Sequence, residues 1–181
     1  MSIAIILLLA IVAGAIWLFN HLVRKRNQVA VAWSDVDVQL QRRHDLVPNL
    51  VETVKGYAHH EHDLLTQIAV ERSAALRATA PGVRGAPEMA LGQDLSRLLA
   101  LGEAYPDLKA SSNFSQLSSE LVTIEDTLQH ARRFYNGSVR EYNTALETFP
   151  ALLVARALGV KPAEFFAAEV DARGNVEIAL A

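Results

Sequence analysis

The densest group of side chains that could do chemistry is His59-His60-Glu61-His62-Asp63. Imidazole and carboxylate are ligands for zinc, nickel or copper, and a carboxylate among histidines can also serve acid–base catalysis. Helical geometry limits the first option. At about 100° per residue, His60 and His62 diverge, and only His59 and His62 share a face, two ligands where a metal site wants more. The same wheel sets Glu61 in the apolar face made by Tyr57, Ala58, Leu64 and Leu65, where an unpaired carboxylate is costly. A cation is expected beside it. Arg26, at a plausible antiparallel height on helix one, and Arg132, at the edge of the helix-four stripe, are the candidates for a buried ion pair with Glu61 that sets helix register. The alternative, a metal-binding protein or enzyme working through Glu61 and its histidines, finds no second catalytic group to act with. No catalytic, cofactor-binding or metal-ligating residue is assigned, and no cofactor is implied.

Composition narrows the classes further. The chain has 181 residues, 51% hydrophobic and 20% charged, with a formal net charge of -3. This suits one substantial core plus one segment outside it, and neither the charge nor any basic aromatic stripe points to nucleic acid. With no cysteine there is neither a disulfide nor a thiolate metal site. Gly-rich phosphate loops, nucleophile elbows and His-Glu-x-x-His helices are missing.

The residues around Gln41 to Tyr57 form the second informative block. Pro48 lacks an N–H and disfavours helical geometry at Val47, while Asp45 is a good N-cap, so the spacing predicts a helix-to-helix corner here. Arg42 and Arg43 would neutralise the end of the first helix. Asn49, Glu52 and Gly56 fall off the apolar stripe, with Glu52 placed to pair with Lys55 and Gly56 open to a close neighbour. Arg42, Arg43, Asn49, Glu52 and Gly56 are therefore the candidate partner surface.

Four helices must carry these residues. Apolar residues at Leu22, Val29, Trp33, Val36 and Leu40 mark helix one, and those from Leu50 to Ile68 mark a long helix two ending before Thr79-Ala80-Pro81-Gly82. Residues 83–86 read as a loop, and Pro87-Glu88 opens helix three, which stops at Tyr105-Pro106-Asp107. Helix four runs from Asn113 to about Thr148 on the stripe Phe114, Leu117, Leu121, Ile124, Leu128, Ala131, Tyr135, Tyr142 and Leu146. A helix one that turns near Asp45 is too short for a helix two lasting to Ala80, so helix two must end irregularly, helix one must lie partly out of the bilayer, or the bundle must tilt.

The start of the chain reads IAIILLLAIVAGAIWLF from Ile3 to Phe19, uncharged and just long enough to cross a bilayer. Ala13-Gly14-Ala15 resembles a signal-peptide cleavage site, but no basic residue precedes the run and the helical pattern continues past it. Arg24, Lys25 and Arg26 follow at once, which predicts an N-terminus outside and a cytoplasmic C-terminal domain. At the other end Leu152, Leu153, Phe165 and Phe166, the last two after a helix-starting Pro162, supply apolar surface for the membrane interface or the open end of the bundle. A lipid-organising protein is thus a further alternative. Asp171 to Ala181 reads as a loose extension.

The block QRRHDLVPNLVETVKGYAHHE, with Ala32-Trp33-Ser34 and Asp37-Val38-Gln39-Leu40 before it, resembles the LemA family of bacterial membrane-anchored proteins. Ala104-Tyr105-Pro106-Asp107-Leu108-Lys109-Ala110, Asn113-Phe114, Ala131-Arg132-Arg133-Phe134-Tyr135-Asn136, Val139-Arg140-Glu141-Tyr142-Asn143 and Phe149-Pro150 are similar to later family segments, in order. The resemblance covers about Asn27 to Phe166, with departures at His44, where tyrosine is more typical, and in the extra histidines around Glu61. It implies an N-terminal membrane helix and a helical bundle, without an established reaction or cofactor. It also implies an accessory role beside membrane proteins, zinc metalloproteases among them.

The expectation is an all-α protein with an N-terminal transmembrane helix followed by an antiparallel, LemA-like four-helix bundle. The anchor takes residues 1–20, the domain 21–166 and a tail 167–181. It would act without enzymatic chemistry as a scaffold, adaptor or regulator in the bacterial inner membrane. Its partners would be the membrane itself, a membrane-associated protein such as a zinc metalloprotease, or a second copy of the chain.

Overall fold

A computed structural model describes residues 2–58 and 60–166. Its regular elements among those residues are all helices: α1 (Ser2–Lys55), α2 (His62–Arg77), α3 (Pro81–Ala104), α4 (Pro106–Lys109), α5 (Ser112–Glu147) and α6 (Ala151–Ala157). The tail at 167–181 and His59 lie outside the described residues.

The corner expected at Asp45–Pro48 is not a turn. α1 passes through Pro48 and stops only at Lys55, and the chain reverses across Gly56–Glu61. A proline inside a helix deprives the carbonyl four residues earlier of its partner, here that of His44. The Nε of Arg72 on α2 donates to that carbonyl at 2.8 Å and replaces the missing bond. Moving the corner also removes the length mismatch, since helix two begins only at His62. A second correction concerns residues 83–86, which are helical. Pro81 stands in the first turn of α3, where a missing N–H costs nothing, and Pro87 lies within the helix. Residues 161–166 are not helical, so Pro162 starts no helix.

The described residues form two compact units, one of residues 2–40 and 126–165 and one made mainly of 41–125. In the first, α1 and α5 run antiparallel. Lys25 meets Glu141 at 2.6 Å, and the rings of Trp33 and Tyr135 stand 5.2 Å apart. Leu22, Val29, Ala32, Val36 and Leu40 are buried at helical spacing, as are Leu128, Tyr135, Val139, Tyr142 and Leu146. Helix α5 then holds the chain that follows α6. Tyr135 donates to the Glu164 carbonyl at 2.7 Å, Tyr142 to that of Lys161 at 3.2 Å, and the Asn143 amide exchanges two bonds with Ala163. Burial, and next the charge of Glu164, push the Tyr135 hydroxyl up to about 12, so it remains a donor.

Ser2 to Trp17 are exposed throughout, and α1 is the one helix among the described residues long and apolar enough to cross a membrane. An all-round apolar surface of that length has no favourable place in water.

The second unit has the larger apolar core. Leu46, Val47, Leu50 and Val54 of α1 meet Leu65 and Ile68 of α2, Leu91, Leu95 and Leu98 of α3, Leu108 of α4, and Phe114, Leu117, Leu121 and Ile124 of α5. α3 comes close to the start of α5 at Gly102, where a Cβ would stand 2.9 Å from the Phe114 ring. Glycine is the residue that admits this approach.

Candidate functional site

The buried faces that build this core end in charge. On α1 the stripe Val54, Leu50, Val47 continues to Arg43 and His44; on α3 the stripe Leu98, Leu95, Leu91 continues to Glu88 and Arg84. Helical spacing of three and four therefore delivers all four polar side chains to one layer. Arg43 is 1% exposed, and Glu88 and His44 are fully enclosed.

Glu88 is the hub. Its Oε2 receives Nη2 of Arg43, its Oε1 receives Nε2 of His44 at 2.9 Å and Nε of Arg84 at 3.2 Å, and its backbone carbonyl accepts Arg43 Nη2 at 2.9 Å. Nη1 of Arg43 turns to the half-exposed Glu125 of α5 at 2.7 Å. Two carboxylates thus face two guanidinium groups, and a planar fork shared between α3 and α5 fixes how α1 sits between them. Burial opposes ionisation of Glu88, but the hydrogen bond from His44 and the charge of Arg43 together outweigh it and bring the carboxyl down to about 2. Such a group neither gives nor takes a proton near neutrality. Its chemistry is cohesion.

Each residue singled out from sequence can now be placed. Arg43, expected on an accessible surface, is buried, because α1 continues and turns it inward on the Val47 stripe. Arg42, Asn49 and Glu52 are exposed, Glu52 at 79%, with its Lys55 partner 3.5 Å away. Gly56 is exposed in the turn, and a Cβ there would touch only the Thr53 carbonyl at 3.5 Å, so no neighbouring helix requires it. Thr53 itself is bonded by the Asn113 amide at 2.8 Å.

Glu61 stands at the start of α2 rather than on a mid-helix face, because the corner falls at this point. It is half-buried and accepts the Tyr105 hydroxyl at 3.1 Å, a bond that raises the pKa of that hydroxyl. Arg26 and Arg132 belong to the other unit. His60 lies in the turn and His62 opens α2, both exposed, so the one-helix geometry assumed for these histidines does not apply. Among the described residues no three histidine, aspartate or glutamate side chains gather as a metal-holding group. At the other end Leu153 and Phe165 are exposed, Leu152 is half-buried and Phe166 is buried.

Sequence reasoning missed Glu88, Arg84 and Glu125. The signal available was Arg84-x-x-x-Glu88, an (i, i+4) pair just after a first-turn proline, hidden by reading 83–86 as a loop.

Residues 32–180 match the model of the LemA family. Magnetosome protein MamQ of Magnetospirillum gryphiswaldense is 25% identical over 192 aligned residues, covering 92% of this chain and 71% of that protein. Protein LemA of Metamycoplasma hominis is 26% identical over 170, covering 87% and 73% respectively.

Proposed function

Since the chain belongs to the LemA family, we propose that it is a membrane-anchored helical scaffold or adaptor that presents a protein-binding surface at the cytoplasmic face of a bacterial inner membrane. The observation that carries this reading is the continuity of α1. The apolar stretch does not end in a linker but runs on as the helix whose Leu22, Val29 and Val36 pack in the first unit. A stiff connection of this kind suits a protein that holds something near a membrane. The Arg24-Lys25-Arg26 cluster after the apolar stretch favours the cytoplasmic side. Neither relative's name denotes a reaction.

The binding surface we favour is the outer face of α1 around Arg42, Asp45, Asn49 and Glu52, all exposed. A membrane-embedded zinc metalloprotease is the first partner to test, with self-association as the competing outcome. A photo-crosslinking residue at Asn49 or Glu52 of the full-length protein in cells is expected to capture one near-stoichiometric membrane protein. The same probe at exposed Val70 of α2 serves as the control. Equal capture from both positions, or adducts of the chain with itself alone, would remove the hetero-partner reading.

A further inference from the structure

Where the apolar stretch of α1 ends, the first unit opens a cavity of about 460 Å³ lined by Trp17, Leu18, His21, Lys25, Arg140 and Phe149. Trp17, His21 and Lys25 are spaced by four residues and follow one face of α1, with the Trp17 and His21 rings stacked at 5.6 Å. The cavity is therefore graded along the helix. Its lower part is Trp17, Leu18 and Phe149, the last 74% exposed; its upper part, about 12 Å higher at the helical rise, carries Lys25 with its partner Glu141 and the exposed Arg140.

An occupant must match that gradient, apolar toward the membrane and anionic above it. We infer that this cavity is a binding site for one anionic phospholipid of the leaflet next to the domain, with acyl carbon against Trp17, Leu18 and Phe149 and the phosphate at Lys25 and Arg140. The inference rests on the membrane-anchored reading above, which puts Trp17 at the depth where aromatic side chains meet the headgroup boundary. Charge complementarity supports it. Lys25 is balanced by Glu141, whose carboxyl it holds below its usual range, so Arg140 adds net positive charge at the rim, and Arg24 and Arg26 lie on the same turns of α1. A protein segment would have to bring its apolar end into the bilayer to fit as well; a phospholipid does so by construction.

The test uses the chain's two tryptophans. Full-length protein with Trp33→Phe, leaving Trp17 as the reporter, is placed in phosphatidylcholine vesicles with a minor fraction of phosphatidylglycerol. The chains of one lipid or the other are brominated at equal mole fraction. Quenching of Trp17 is expected to report about fivefold enrichment of phosphatidylglycerol, the ratio expected of one cation beside an anionic headgroup. Arg140→Gln should abolish that enrichment with insertion unchanged, and Lys25→Gln/Arg140→Gln should do no less. Arg24→Gln/Arg26→Gln should leave most of it. Equal quenching by both lipids would overturn the site while leaving the anchor intact. Equal loss in the two pairs of basic variants would overturn it in favour of diffuse surface attraction. No quenching by either lipid would place Trp17 outside the bilayer and overturn the anchored reading too.

Discussion

Glu88 shows how much one residue can govern. Its carboxyl titrates at about 2 in the folded protein against an ordinary 4.5. A depressed folded value means the stabilisation is fully present above pH 4.5 and is lost as pH falls toward 2, a span worth on the order of 3 kcal/mol. Acid should therefore weaken the second unit through this window, and Glu88→Gln should flatten that part of the profile. At neutral pH the same substitution should cost about 3 kcal/mol, because it takes one of two carboxylates from a buried cluster and leaves the Glu125 carboxylate as the ionic partner of Arg43. Urea melts of the full-length protein in detergent across pH give both numbers. An unchanged acid profile in the variant would show that other carboxylates set it. Little of this was legible beforehand: Arg43 and His44 drew notice, but their partner lies 45 and 44 residues away, respectively, in a segment read partly as loop. Pairing at that distance leaves no local periodicity to read.

At the level of elements, patterns repeated over many turns were legible, while a single breaker misled. The α5 stripe from Phe114 to Leu146 and its ends near 113 and 148 match what the structure shows, since buried apolar residues recur over the whole helix. Pro48 implied a corner because the local rule is strong, and a side chain from another helix overrides it. That compensation is testable as a coupling. Arg72→Leu leaves the His44 carbonyl unmatched and should cost about 1 to 3 kcal/mol. In a Pro48→Ala background, the restored backbone N–H can serve that carbonyl, so the cost of Arg72→Leu should fall by most of its value in a double-mutant cycle of melts. Additive losses would mean that Arg72 matters for some other contact.

For the molecule as a whole, absence of cysteine makes orientation simple to measure. Single-cysteine variants Ser2→Cys and Glu52→Cys, probed in intact cells with an impermeant maleimide, should label at residue 2 only, with residue 52 reacting after permeabilisation. The reverse pattern would put the domain outside the cell and end the cytoplasmic adaptor reading. The unbroken α1 carries a further consequence. Because no hinge separates the apolar stretch from the packed part of the first unit, helical phase is shared between lipid and protein. One alanine inserted between Asn20 and His21 would turn Trp17 by about 100° and lift the packed residues by about 1.5 Å, whereas seven would nearly restore the facing while adding about 10 Å of height. Length and angle cannot be tuned separately along such a shaft: a change of length at this junction keeps the facing only when it comes close to whole turns.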